Sequence, residues 1–286
     1  ENQVAADALA AQVSQISDVT IEVEFVRSQA EALSALCNAT PDSASMVWLI
    51  AFAAGDAAMR DCGIPRIQIT REVGRDSLTG EAGVLLANFE IDFEEPDIAT
   101  VQLQERTFCR IALEDFYSWS LPTLLFAANG LSIMEFQDIN EVEDEETLFA
   151  TLQDGTCDAI ALPERTWETY VDTDETLVEG INVLATSPEF PYGVLFFSYD
   201  VSLEVIDTLT EALLVLEADG LALEVTPEAA ITTEALPEAE ATESAEPVTF
   251  ADLFGEGQFV TTEAEDFTSV ANFLQETGLN FTQVGD

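Results

Sequence analysis

Between Gln104 and Leu131 the sequence QERTFCRIALEDFYSWSLPTLLFAANGL passes from a β-type run, Thr107 to Ile111, through a short loop into a helix. Pro122 sits one turn inside that helix, Leu121, Leu124, Leu125 and Ala128 supply its apolar face, and Asn129-Gly130 stops it. The helix therefore opens near Ser118 to Ser120. An α/β protein holds a ligand at such a point, where free N–H groups and the positive end of the helix dipole face a crevice at the carboxyl ends of the strands.

Other reactive residue types are few. The 286 residues include no histidine and no lysine, so every cation is an arginine. Nucleophile systems built on histidine, histidine-ligated zinc, Schiff-base lysines and the P-loop cation are thereby excluded. Carboxylates abound, 56 acidic against 8 basic residues for a net charge of −48, but no spacing singles out a pair for acid–base work, and an enzyme is not expected. Glu141, Glu143, Asp144, Glu145 and Glu146, or Asp172, Asp174 and Glu175, could hold a hard cation, yet neither run has EF-hand spacing. No metal site and no cofactor is expected. The charge argues against nucleic acid or an anionic membrane as partner. It fits adaptation to high salt or a crowded extracellular surface, with a binder of cations or basic partners as the alternative.

Cys37, Cys62, Cys109 and Cys157 contain no CxxC pair, which favours two disulfides over a metal site; three pairings are open. Apolar content of 48% excludes global disorder, and no apolar run is long enough to span a membrane.

The elements that must carry the Gln104–Leu131 stretch alternate between helix and strand. Val4 to Ile16 reads as an amphipathic helix, Thr20 to Val26 as a strand, and Gln29 to Asn38 as a helix capped by Ser28. Met46 to Phe52 is a buried strand running into a small-residue helix; Arg66 to Glu72 and Ala82 to Phe89 are further strands. After the central stretch come an acidic helix from Glu143 to Leu152 and strands at Ala159 to Leu162, Ile181 to Thr186 and Tyr192 to Ser198. Helices from Leu203 to Leu216 and from Glu265 to Thr277 follow. Alternation of this kind means βα units and mainly parallel sheets. Residues 226–248 break the pattern with proline, glutamate and no aromatic, and read as a disordered or extended insertion.

Arg106-Thr107-Phe108-Cys109-Arg110, the Trp119-x-x-Pro122 helix, Asp154-Gly155-Thr156-Cys157-Asp158-Ala159 and Ser187-Pro188-Glu189-Phe190-Pro191-Tyr192-Gly193 together resemble the phosphate/phosphonate-type solute-binding proteins of ABC transporters. The resemblance implies a type II periplasmic-binding-protein-like fold of two α/β lobes. Residues 1–88 would begin lobe one, 89–190 form lobe two, and 191–286 return to lobe one. It implies an extracellular or periplasmic, secreted protein, surface-attached forms included, with a small-molecule ligand in the inter-lobe cleft and an ABC permease as partner. It also implies the pairs Cys37–Cys62 and Cys109–Cys157, each within one lobe.

Carried over residue by residue, the family's oxyanion-binding loop falls on Asp115, Phe116, Tyr117 and Ser118, with Ser118 and Ser120 keeping hydroxyls. In lobe one, Asn2 and Trp48 fall near the cleft, and Ile50 stands where relatives carry a polar residue. A carboxylate at Asp115 repels a phosphonate in a partly desolvated crevice, so the ligand motif is altered. Asp115, Tyr117 and Trp48 would instead suit a cationic or neutral organic molecule. The resemblance further implies a strand ahead of Glu1, beside Thr20 to Val26. Either earlier residues supply it or another subunit donates it, in which case the fold would serve as a structural or filament subunit that self-associates by strand donation.

Overall fold

The computed structural model describes residues 2–43, 45–73, 76–88, 98, 103–218 and 253–284. Lobe one begins with α1 (Asn2–Ser17), α2 (Gln29–Cys37), β1 (Met46–Leu49), α3 (Ala51–Met59), β2 (Ile64–Val73) and β3 (Asp76–Leu78). A two-residue strand, β4 (Gly80–Glu81), leads into lobe two. That lobe holds β5 (Gly83–Ala87), β6 (Thr107–Arg110), α4 (Leu121–Ala128), β7 (Asp138–Glu141), α5 (Glu145–Gln153), β8 (Ala159–Pro163), α6 (Glu164–Thr173) and β9 (Asn182–Thr186). A second such strand, β10 (Phe190–Pro191), brings the chain back for β11 (Val194–Phe197), α7 (Leu203–Ala218), β12 (Gln258–Thr261), α8 (Thr268–Thr277) and α9 (Phe281–Val284).

Two five-stranded sheets result, ordered β1-β11-β2-β12 with β3 on β2, and β7-β6-β8-β5-β9. The two-lobed α/β class is as expected, but the ladders are not mainly parallel. In lobe one every pair is antiparallel. In lobe two β6 is parallel to β7 and β8, while β5 runs against β8 and β9. β3 folds back on β2 as a hairpin and β12 also runs against β2, and the double crossing of the chain accounts for the other four antiparallel pairs. Each crossing delivers its strand into a sheet's interior, β5 between β8 and β9 and β11 between β1 and β2, against the direction of its neighbours.

The strand expected from Thr20 to Val26 does not form. No described residue offers it a ladder, and side chains hold the segment instead: Gln3 Nε2 donates to the Val23 carbonyl at 3.3 Å and the Ile21 N–H donates to Ser14 Oγ at 3.2 Å. An alternating sequence without a partner strand cannot satisfy its backbone as a ladder, and Phe25 and Val26 stay exposed. β1 is consequently an edge strand whose outer side meets no strand among the described residues. Just past its end, the Ile50 N–H donates to the Gln29 side-chain oxygen at 3.0 Å. The insertion expected at 226–248 lies outside the described residues.

Both disulfides join the expected partners. Cys37–Cys62 ties the end of α2 to the turn after α3, and Cys109–Cys157 ties β6 to the loop before β8. Closing loops of 25 and 48 residues restricts the unfolded chain by about 3–4 kcal/mol each.

One apolar core runs through both lobes. It passes from Leu33, Leu49 and Phe52 through Phe190, Val270 and Leu274 to Leu121, Phe126 and Phe108. Helix α8 carries the join, packing on α3 of lobe one and α4 of lobe two. On the opposite face of the lobe-one sheet, Leu9, Val13, Ile206 and Leu213 of α1 and α7 cover Ile67, Ile69 and Phe197.

Asp56 is the one fully buried carboxylate in this core among the described residues. Its Oδ2 accepts the Phe281 N–H at 3.3 Å and Arg60 Nη1 at 3.4 Å, while Oδ1 has no partner. Burial pushes the carboxyl above its ordinary value of 3.8, and the Phe281 N–H and Arg60 offset this only in part. A raised folded value means that the native state favours the neutral acid. The resulting stabilisation is present below the ordinary value and is lost as pH rises through the folded one. Asp56→Asn keeps an acceptor for Phe281 and removes the charge. Thermal melts should find it at least as stable as the wild type at neutral pH, with the difference shrinking in acid; a deficit that grows toward neutral pH would show that the charge is stabilising.

Candidate ligand-binding site

The loop between β6 and α4 is closed by its own side chains. Asp115 has extended backbone angles and caps a wide turn, Phe116–Ser120, with its Oδ1 accepting the Ser118 N–H at 2.6 Å. The Asp115 carbonyl accepts the Trp119 and Ser120 N–H groups at 3.1 and 3.3 Å, and Ser118 Oγ accepts the Ile111 N–H at 3.0 Å. Ser118 and Ser120 are both buried. The three consecutive donors at positions 118 to 120, and the hydroxyl oxygen of Ser118, are thus engaged within the loop.

Aromatic contacts fasten this loop to the crossings. Phe116 meets Phe190 of β10 edge-on at 4.9 Å and Tyr117 at 5.0 Å. The Tyr117 hydroxyl donates to the Glu81 carbonyl of β4 at 3.4 Å, and burial pushes this phenol well above its ordinary value. Behind the loop, the Arg110 guanidinium lies 4.9 Å from the Trp119 ring centre and pairs through Nη2 with Glu141 at 3.2 Å. Its Nε and Nη1 are buried without a partner.

Beside Tyr117, groups from both lobes converge on Glu81. The Tyr192 hydroxyl donates to Glu81 Oε2 at 3.3 Å, and the Arg71 guanidinium lies 4.4 Å from the Tyr192 ring centre. Burial raises the Glu81 carboxyl; a backbone N–H from Arg165, the Tyr192 hydroxyl and the charges of Arg165 and Arg71 pull it back. The Tyr192 phenol is pushed up to about 12, by burial first and then by Glu81. β2 supplies Arg71, β4 supplies Glu81, α6 supplies Arg165, and Tyr192 follows β10. Two of the chain's eight cations therefore act on one half-buried carboxylate where the lobes join.

The residues expected in a lobe-one half of the site lie as follows. Trp48 is half-buried on the α1/α7 face, against Phe254 at 4.9 Å and Phe259 at 6.0 Å. Its ring covers Gly193, where any Cβ would collide with it. Asn2 opens α1, and its side chain lies outside the described residues. At the first residue of α3, two residues past β1, Ala51 holds φ 38°, a left-handed conformation costing a non-glycine residue about 1–3 kcal/mol. Such strain at a strand-to-helix turn marks a backbone whose shape is imposed by its surroundings. The structure brings Asp115, Tyr117, Ser118 and Ser120 into one turn. Arg71, Glu81, Arg165 and Tyr192 were not anticipated there. Scarcity was the available signal: in a lysine-free chain, each arginine near a crossing merits attention.

No group of three or more His, Cys, Asp or Glu suited to a metal ion occurs among the described residues. No helix among them is long and apolar enough to cross a membrane.

The family model for the periplasmic phosphonate substrate-binding protein of ABC transporters matches residues 1–245. The chain belongs to this family. No curated protein matches its sequence. Among solved structures, XAC2383 from Xanthomonas citri bound to ATP superposes with a TM-score of 0.54 at 13% identity, covering 96% of this chain and 92% of the other. PhnD1 from Prochlorococcus marinus in complex with methylphosphonate gives 0.47 at 13% identity, covering 95% and 91%. As a member of the phosphonate-binding family, the chain is the solute-binding component of an ABC transporter, with a small-molecule ligand and membrane subunits as the partners expected of that family.

The Asp115 cap is open to a direct test. Asp115→Ala strands the Ser118 N–H in a buried turn and should cost about 1–2 kcal/mol in chemical denaturation. Asp115→Asn, which retains the acceptor, should cost less than half of that. Equal losses in the two variants would show that the charge, not the hydrogen bond, is what matters.

Proposed function

We propose that this phosphonate-family protein receives an organic solute other than simple phosphate and passes it to an ABC permease. The observation that carries the reading is the Asp115 carboxylate on the Ser118 N–H at 2.6 Å. An oxyanion seeking the same donors meets a carboxylate already bonded to one of them, at a site where like charges repel with little screening. The chemistry on offer beside the loop is mixed: a carboxylate and two phenol rings from Glu81, Tyr117 and Tyr192, and a guanidinium from Arg71. A solute with a cationic end for the first set and an acceptor for the second suits it, a zwitterion in particular. Calorimetric titration with inorganic phosphate, methylphosphonate and glycine betaine tests this. The wild type should show no saturable phosphate or methylphosphonate binding at millimolar concentration, and Asp115→Ser should gain at least about tenfold for either anion. Micromolar phosphate binding by the wild type would overturn the reading.

A second reading, in which the fold serves as a self-associating extracellular subunit, is supported by the open outer side of β1 and the ladderless Thr20–Val26 segment. A strand from a neighbouring copy seated between them would link copies head to tail, an arrangement that does not close. Light scattering would then report a mass that grows with protein concentration. A constant monomer mass across concentrations contradicts this reading and leaves the first one intact.

A further inference from the structure

A cavity of about 380 Å³ lies beside the β4–β10 pair, the hinge between the lobes, with Pro191 but not Tyr192 among its lining residues. β2 places it there. Ile67 and Ile69 face α1 and α7, so the intervening Gln68 points to the other side of the sheet, toward α8. The cavity is lined by Gln68, by both crossings through Thr79 and Glu189, and by Asp266, Phe267 and Ser269 at the start of α8.

Gln68 is only 8% exposed, and its carboxamide makes no hydrogen bond with any described residue. The carboxamide opens on the cavity, and a group that enters there can bond to it. Its neighbours restrict what that can be. Asp266 is held ionised below its ordinary value by the Glu263 N–H at 3.0 Å and the Thr262 hydroxyl at 2.7 Å, and only its Oδ2 is used in doing so. Glu189 adds a second carboxylate at the rim, Phe267 an aromatic wall, and no arginine lines the space among the described residues. A ligand here must donate hydrogen bonds and carry no negative charge. An ammonium group does both, with three donors to share among the Gln68 oxygen and the two carboxylates, and an affinity for the ring. The volume lies at the lower end of the range for small-molecule sites.

We propose that this hinge cavity is a second binding site, separate from the inter-lobe cleft, for a small organic amine in its ammonium form. It does not depend on what the cleft binds. Titration calorimetry of the full chain with putrescine and ethanolamine, and with acetate as the anionic control, tests it in high salt, where diffuse attraction to the acidic surface is screened. One saturable amine site should appear, with none for acetate. Ser269→Trp, an exposed position that can fill the mouth without disturbing the core, and Gln68→Leu should each weaken it at least about tenfold. Tyr192→Phe, on the cleft side, should leave it unchanged. Absence of a saturable amine site, or one that survives Ser269→Trp, overturns the proposal. Loss in Tyr192→Phe with retention in Ser269→Trp would place the amine in the cleft and equally overturn it.

Discussion

Two short strands, β4 and β10, pair where the chain crosses between the lobes, and the arrangement of everything else depends on that contact. Glu81 lies opposite Phe190 and Gly80 opposite Pro191. The approach is so close that a Cβ on Gly80 would stand 2.5 Å from the Phe190 carbonyl oxygen, so only glycine allows it. From this pair the chain sends β5 into one sheet and β11 into the other, each into the interior and against its neighbours. Phe190, fully buried, joins the apolar core of lobe one to that of lobe two, and α8 seals the seam from behind.

The chemistry of the site follows from the same contact. The loop before α4 is not a free rim of donors; Phe116 rests on Phe190 and Tyr117 bonds to Glu81, so the loop is moored to the crossing strands. Within it, Asp115 takes up the Ser118, Trp119 and Ser120 N–H groups, and Ser118 takes up that of Ile111. The charged groups facing both lobes then become Arg71, Glu81 and Arg165. In a chain of net charge −48, cations held beside one half-buried carboxylate give this spot a balance that most of the surface lacks.

Much of this was legible in the residues. Pro122 and Asn129-Gly130 mark a helix that the structure bounds at Leu121–Ala128, because the proline's missing N–H and the stop at Asn129-Gly130 act locally. The cysteine pairing followed from the two-lobed family, since each pair closes within one lobe. Thr20 to Val26 was read as a strand from an alternation that is real, but a strand exists only with a partner, and partners are not encoded locally. Ladder direction was missed for a related reason: βα alternation says nothing of where a crossing strand inserts. Arg71, Glu81, Arg165 and Tyr192 come from four segments far apart in sequence, and no local pattern joins them. Asp115 was recognised as out of place in an anion site, but its role as the cap of Ser118 rests on the turn's geometry, which composition does not reveal.

The amide signal of Ser118 in a nitrogen–proton correlation spectrum reports most directly on whether the loop's donors are committed internally. Titrating methylphosphonate to millimolar concentration should leave the Ser118, Trp119 and Ser120 amides where they are, because Asp115 already holds them. Saturating shifts of those three amides at micromolar methylphosphonate would show that the loop opens to an oxyanion as an unmodified phosphonate site does, and would contradict the account.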